Sequence, residues 1–213
     1  MRLAVQGLLF DNDGVLVNSL ESVERAWGAW SEKYSQGFRI GFEHHGRPAR
    51  EIVAELVSKE LFPLANEEIN QLEVDLVHLT KPMPGAIELT ASLPKEIWTV
   101  VTSAHDELGI GRLRAAGIYV PKNLVTAGDV RQGKPSPEPY LLAAERLGIA
   151  IEDCLVFEDA PSGVKAGKAA GAKYVIGVGE EVMDSEADFV ISSLVGIRYE
   201  AGELFIPEEN RLR

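Results

Sequence analysis

Residues 3–14 read LAVQGLLFDNDG, an apolar run that stops at Asp11 and gives way to the polar turn Asp11-Asn12-Asp13-Gly14. A short apolar run bounded by turn residues is typical of a strand buried on both faces of a parallel sheet. Similar runs recur at residues 97–101, 124–126, 155–157, 174–178 and 189–191. Helical patterns lie between them, at residues 107–116, 138–147 and 163–170. This alternation predicts an α/β fold with a doubly wound parallel sheet.

One stretch interrupts the alternation, because residues 18–81 contain no strand-like run. Apolar residues recur there at spacings of three and four, which predicts amphipathic helices, with Trp27 and Trp30 in their core. The stretch ends in the punctuated linker at residues 81–85. We therefore predict a core domain of residues 1–16 and 82–213 and an inserted α-helical cap of residues 17–81. We also predict a small hairpin at residues 198–207, with Ala201-Gly202 at its centre.

Composition excludes several classes of function. The 213 residues include 33 Asp and Glu against 21 Lys and Arg, a net charge of −12. Such a chain repels nucleic acids and anionic membranes, so we predict neither as a partner. No apolar stretch approaches the ~20 residues of a membrane span, and Asp11 interrupts the first apolar run too early for a signal peptide. We expect a cytoplasmic protein whose single cysteine, Cys154, packs in the core.

Polar residues gather where the predicted strands end. They are Asp11 and Asp13, Thr102 and Ser103, Glu158 and Asp159, and Lys134 in a proline-flanked loop. Ligands of open parallel sheets bind at the carboxyl ends of the strands, so these side chains predict one site. Neighbouring carboxylates need a cation or a shared proton, and Mg²⁺ prefers oxygen ligands. The turn at Asp11 alone would equally suit a polar loop.

Four segments, in order, resemble the motifs of the haloacid dehalogenase superfamily of phosphatases. They are residues 10–19 (FDNDGVLVNS), residues 100–104 (VVTSA), Gly133-Lys134-Pro135 and residues 156–163 (VFEDAPSG). The resemblance spans essentially the whole chain. Residues 93–98, 132–140 and 157–171 are most similar to sugar-phosphate, glycerol-phosphate and 2-deoxyglucose-6-phosphate phosphatases. Asn12 and Asn18 depart from the family pattern, and neither departure removes a catalytic group.

The resemblance implies a role for each motif residue. Asp11 would be the nucleophile, and Asp13 would protonate the leaving alkoxide and then activate water. Thr102 and Lys134 would hold the phosphoryl oxygens. Backbone N–H groups near Asn12 and Ser103 would assist them.

The cofactor that the resemblance implies is Mg²⁺. Its ligands would be Asp11, Asp159 and the backbone carbonyl of Asp13, and Glu158 would tune the metal site or restrain Lys134. The implied reaction is hydrolysis of phosphate monoesters through an aspartyl-phosphate.

Substrate selection is expected from the cap, in the stretch around His45, Gly46, Arg47 and Arg50. These residues would bind the hydroxyls or the phosphate of a small phosphorylated sugar or polyol. The alternative for both arginines is a surface ion pair with Glu43, Glu51 or Glu55. We expect a monomer, with a homodimer as the alternative.

Other functions remain open at this point. A sugar phosphomutase of the β-phosphoglucomutase type would carry a histidine in its first cap helix, where this chain has Val23. A dehalogenase would need neither Asp13 nor Asp159. A phospho-acceptor signalling module would stop after one phosphate per chain, and a silent binding protein would not turn over at all.

Overall fold

The structure is a computed structural model that describes residues 1–41, 44 and 47–213. In chain order, the strands are β1 (Arg2–Ala4), β2 (Gly7–Phe10), β3 (Val17–Asn18), β4 (Lys81–Pro82), β5 (Trp98–Val100), β6 (Cys154–Glu158), β7 (Tyr174–Val178), β8 (Phe189–Ile191), β9 (Arg198–Glu200) and β10 (Glu203–Phe205). The α-helices are α1 (Leu20–Tyr34), α2 (Ala49–Leu56), α3 (Phe62–Asp75), α4 (Ala86–Ser92), α5 (Asp106–Ala115), α6 (Glu138–Leu147) and α7 (Pro161–Ala170).

A parallel sheet with the strand order β5-β2-β6-β7-β8 forms the centre of the fold. Its strands are buried on both faces, because Leu8 and Phe10 pack in one apolar cluster and Leu9 packs in another on the opposite face. Cys154 is fully buried as predicted, and burial raises the pKa of its thiol to about 12. The predicted doubly wound α/β fold is confirmed.

The register of the central strands determines which residues meet at the edge of the sheet. Phe10, the last residue of β2, lies opposite Val100 of β5 and Phe157 of β6. The rings of Phe10 and Phe157 stack with centroids 4.8 Å apart, which supports this register. The residues that follow Phe10, Val100 and Phe157 therefore emerge side by side.

Helices α1, α2 and α3 lie between β3 and β4, which pair with each other as a short antiparallel ribbon. The three helices share their own apolar cluster, in which Trp27 and Trp30 are buried with ring centroids 5.3 Å apart. The two tryptophans thus lie in the core of the helical segment, as predicted. No helix in the described part of the chain is long and apolar enough to cross a bilayer.

Two predicted strands differ from the structure. Residues 3–10 do not form one strand, because Val5 N donates to Gly202 O while Gln6 N donates to Asp153 O, so the chain changes sheets between β1 and β2. Strand β1 instead pairs with β10. Strands β9 and β10 form the predicted hairpin, so that prediction is confirmed. Residues 124–126 make only an isolated bridge, Val101 with Val125, because Asp129 turns the chain by accepting from Thr126 N. Helix α4 was not predicted.

Replacing Trp30 by Phe should destabilise the protein more than replacing Trp98 by Phe. Both side chains are fully buried, but Trp30 Nε1 donates to Ala65 O at 2.8 Å, whereas Trp98 Nε1 has no partner among the described residues. The substitutions remove similar volumes, so their difference should be about 1 kcal/mol, the contribution of one buried hydrogen bond. Urea unfolding of both variants measures it, and an equal or larger loss for Trp98→Phe would contradict the assignment.

Candidate active site

Asp11, Lys134 and Glu158 meet at the carboxyl edge of the sheet. Lys134 Nζ lies 2.5 Å from Asp11 Oδ1 and 2.6 Å from Glu158 Oε1, and it donates to Val101 O at 3.0 Å. All three charged side chains are buried. The sheet brings together two of them, Asp11, which follows β2, and Glu158, which ends β6, while the loop before α6 supplies Lys134. Burial strengthens these electrostatic interactions relative to water.

Glu158 is held on two further sides. Tyr140, which is fully buried on α6, donates its hydroxyl to Glu158 Oε1 at 2.5 Å. The Lys134 ammonium also lies 5.3 Å from the centroid of the Tyr140 ring. Gly163 on α7 makes room for the carboxylate, because a Cβ there would lie 1.9 Å from Glu158 Oε1. Glu158 is therefore fixed against Lys134 from α6 and α7 together.

The buried charges shift one another's pKa values. Burial raises the pKa of Asp11 to about 7, although Lys134 opposes the shift. Burial lowers the pKa of Lys134, but the carboxylates of Asp11 and Glu158 outweigh burial and raise it, so the ammonium stays charged. Burial and the neighbouring Asp11 raise the pKa of Asp159 well above its usual range. The site holds more carboxylates than one ammonium neutralises.

The donor set at this edge fits a divalent cation. Asp11, Glu158 and Asp159 each offer an oxygen, and these oxygens lie within 4.8 Å of one another. Gly14 lines the space beside Asp159, because its φ is +81° and a Cβ there would lie 1.9 Å from Asp159 Oδ2. Clustered carboxylate oxygens of this kind are ligands that Mg²⁺ prefers.

Asp13 lies beside this cluster and is anchored through one oxygen. Ser19 Oγ donates to Asp13 Oδ1 at 2.5 Å, and Arg112 Nη1 lies 3.1 Å from the same oxygen. The second nitrogen of the guanidinium, Arg112 Nη2, lies 3.1 Å from Glu73 Oε1 of α3. The Asp13 side chain remains 32% exposed, so it faces solvent in the adjacent cavity.

Sequence reasoning assigned no role to Arg112, Glu73 or Tyr140. A signal for two of them was present, because Glu73 follows Ile69 by four residues and Arg112 follows Leu108 by four, on the buried faces of α3 and α5. A charged residue on a buried helix face is rare unless it is paired. Nothing comparable marks Tyr140, whose hydroxyl partner depends on the tertiary fold.

A cavity of about 540 Å³ lies between the carboxyl edge of the sheet and helices α1 to α3. Val23, Asn66 and His105 line it. The cavity is also lined by predicted site residues, namely Asp11, Asp13, Arg47, Arg50, Ser103 and Asp159. Thr102 and Lys134 line an adjoining recess, which Arg50 and Ser103 share.

The remaining predicted residues have mixed outcomes. Arg47 makes the alternative ion pair, with Nη2 2.5 Å from Glu55 Oε1, although it also lines the cavity. Asn12 is fully buried, and its side-chain nitrogen and oxygen have no partner among the described residues. His45 and Gly46 lie outside the residues that the structure describes.

Known proteins match this chain in sequence and in fold. Residues 5–171 match the haloacid dehalogenase-like hydrolases. Hexitol phosphatase A of Escherichia coli (strain K12) is 36% identical over 198 residues, which cover 89% of this chain and 91% of that protein. Glycerol-1-phosphate phosphohydrolase 2 of Saccharomyces cerevisiae is 35% identical over 192 residues, which cover 82% and 75%. The structure of a β-phosphoglucomutase from Clostridium difficile has a TM-score of 0.76 at 24% identity, covering 89% of this chain and 92% of that one, and shares the fold.

Replacing Gly163 by Ala should lower the free energy of unfolding by about 2–4 kcal/mol, because the new Cβ displaces a buried carboxylate from its ammonium partner. Gly28→Ala is the matched control, since Gly28 also lies in a helix but a Cβ there meets nothing within 4 Å. That control should stabilise the protein by about 0.5–1 kcal/mol. Chemical denaturation of both variants checks the prediction, and similar values for the two would refute it.

Proposed function

This chain belongs to the haloacid dehalogenase-like hydrolases and is a phosphoric monoester hydrolase, and we propose that it releases phosphate from small phosphorylated sugars or polyols through an aspartyl-phosphate. The observation that carries the proposal is the pairing of two carboxylates in different environments. Asp11 is buried against Lys134, whereas Asp13 is anchored at one oxygen and faces the cavity. Different environments suit two acids to different chemical roles.

Asp11 is the nucleophile in this proposal. A carboxylate oxygen of Asp11 attacks phosphorus as the bond from phosphorus to the ester oxygen breaks. Asp13 gives its proton to that leaving oxygen, so the product is an alcohol and not an alkoxide. In the second half, Asp13 takes a proton from water, the water oxygen bonds to phosphorus, and Asp11 is released with free phosphate.

Lys134 and Thr102 hold the phosphoryl group in this mechanism. The Lys134 ammonium offsets the charge of a dianionic phosphate beside Asp11, because its pKa stays high in this carboxylate-rich site. Thr102 is buried in the same recess and its Oγ1 accepts from Ala104 N at 3.1 Å, which leaves its own hydrogen available to a phosphoryl oxygen. Ser103 and backbone N–H groups near Asn12 and Ser103 complete the cradle.

We propose Mg²⁺ as the cofactor, with Asp11, Asp159 and the backbone carbonyl of Asp13 as ligands and Glu158 beside them. When bound, the ion neutralises phosphoryl charge and lowers the repulsion between two anions. The excess of carboxylates over ammonium groups in this site and the close spacing of their oxygens support the assignment.

We propose that residues 17–81 act as a cap over a core of residues 1–16 and 82–213, and that the cavity between them holds the substrate's leaving group. His45, Gly46, Arg47 and Arg50 are the proposed contacts to that group. Substrates of the two relatives, as their names state, are phosphates of a hexitol and of glycerol. A cavity with polar side chains on both walls suits such polyols.

Phosphoryl transfer to water is favoured over a mutase reaction. A mutase needs a second base in the first helix of the cap, and the corresponding residue here is Val23, which lines the cavity but carries no titratable group. The likeness to a β-phosphoglucomutase structure is one of fold.

The chain should release phosphate from hexitol and glycerol phosphates in Mg²⁺ and stop when EDTA is added, because the cation is needed beside the attacking carboxylate. Asp11→Asn should lower kcat about 1,000-fold or more, since an amide is a poor nucleophile. Asp184→Asn, an exposed acid outside the site, is the control and should leave kcat unchanged. Absence of phosphate release from every ester, or full turnover by Asp11→Asn, would refute the proposed function.

Gly14→Ala should weaken Mg²⁺ binding about 10–100-fold, because its Cβ would force the Asp159 carboxylate out of position. Gly117→Ala is the matched control: its φ of +73° carries the same backbone strain, but a Cβ there meets nothing within 4 Å. Calorimetric titration with Mg²⁺ measures the affinity without any turnover. Equal affinities in the two variants would show that Asp159 is not a ligand.

A further inference from the structure

We propose that Arg112 is a positioning residue for Asp13 and that Glu73 makes this positioning depend on the docking of helix α3 against the core. The inference rests on the proposed function, because it assumes that Asp13 protonates the leaving oxygen. Arg112 itself need not touch the reacting atoms. It acts through the carboxylate that does.

The contacts of Arg112 join two parts of the fold. Its Nη1 lies 3.1 Å from Asp13 Oδ1, beside the sheet, and its Nη2 lies 3.1 Å from Glu73 Oε1, on α3 of the inserted segment. The side chains of Arg112 and Glu73 are only 6% and 8% exposed. One planar guanidinium thus spans two carboxylates that are distant in the sequence, a geometry that a lysine could not reproduce.

The burial of this arrangement argues against an incidental surface pair. Removing an arginine and a glutamate from water is costly, and one ion pair alone would barely repay it. Burial raises the pKa of Glu73, and the neighbouring Arg112 opposes that shift. Glu73 lies on the buried face of α3, so its contact with Arg112 depends on the packing of α3 against α5.

The contacts of Asp13 indicate what the arrangement does. Both Ser19 Oγ and Arg112 Nη1 contact Oδ1, so Oδ2 is the oxygen that serves the leaving group in this proposal. With only the Ser19 hydroxyl, the carboxylate could rotate about that single contact. The second contact fixes its plane, and a proton donor must be held in hydrogen-bond reach of the leaving oxygen.

Gly111, the residue before Arg112, allows α5 to approach the inserted segment closely. A Cβ on Gly111 would lie 3.1 Å from Val77 Cγ2, in the short 3₁₀ turn Val77–Leu79 that follows α3. Glycine at this position lets the two elements approach closely. The guanidinium of Arg112 can then reach Glu73 while it still contacts Asp13.

The test uses the dependence of the rate on the leaving group. An alkoxide leaving from glycerol 1-phosphate needs a proton, whereas p-nitrophenolate leaves p-nitrophenyl phosphate without one. In single-turnover experiments with Mg²⁺, Arg112→Met should slow release of glycerol by about 100-fold, the usual contribution of a general acid, with KM within about threefold of wild type. Release of p-nitrophenolate by the same variant should change by less than about threefold.

Matched variants separate positioning from general damage. Arg114→Met makes the same chemical change two residues away, on the exposed side of α5, and should leave both rates unchanged. Arg112→Lys retains the charge and should restore part of the glycerol rate. Glu73→Gln should slow glycerol release less than Arg112→Met does, with the same sparing of p-nitrophenolate, because the amide still accepts from Arg112.

Each outcome decides between the two hypotheses. Equal losses on both esters, or no loss on glycerol 1-phosphate, would overturn the positioning role of Arg112. If wild-type protein released neither product, the proposed function would fail instead. If Arg112→Met proved unfolded by circular dichroism, Arg112→Lys and Glu73→Gln would decide instead. A loss of rate confined to glycerol 1-phosphate in both of these variants would support the proposal. Equal losses on the two esters would overturn it.

Discussion

The burial of one ammonium group between two carboxylates is the interaction on which the rest of the structure depends. Lys134 satisfies Asp11 and Glu158 at once, and loss of this ammonium would leave two buried carboxylates side by side without a cation. The strands that carry the acids must therefore keep their register, and α6 and α7 must supply Tyr140 and the gap at Gly163. The chemistry proposed for Asp11 uses the same ammonium that stabilises the fold.

Most of the fold could be predicted because its signals are local. Apolar runs alternating with helical patterns are enough to indicate a parallel sheet, and the motif segments identified the family correctly. The separation of β1 from β2 could not be predicted, since residues 3–10 are apolar apart from Gln6 and only the distant partners of the two strands, β10 and β6, differ. Residues 124–126 had strand composition, but the hydrogen bond from Thr126 N to Asp129 ends their pairing after one bridge.

The candidate site was predictable to the extent that its residues follow strands. Asp11, Asp13, Thr102 and Asp159 were selected that way, and Lys134 was selected from its proline-flanked loop. The structure brings them to one edge, although their roles and the division into cap and core remain proposals. Contacts made across the inserted segment were not predictable. Whether Arg47 meets Glu55 or the cavity, and whether Arg112 reaches Glu73, depends on how helices far apart in sequence pack together.

The short ribbon of β3 and β4 has a consequence for how such a chain can change over evolution. Val17 lies opposite Pro82 and Asn18 opposite Lys81, so the chain leaves and re-enters the sheet-bearing part at neighbouring points. Paired strands lie only ~5 Å apart, and a turn of a few residues would close that gap as well as three helices do. The helices that line the far side of the cavity could thus be exchanged as one unit, provided that the new unit keeps a partner for Arg112. With the proposed role of residues 17–81, new substrate preferences would then arise without any change in the strand that precedes Asp11 or the loop that carries Lys134.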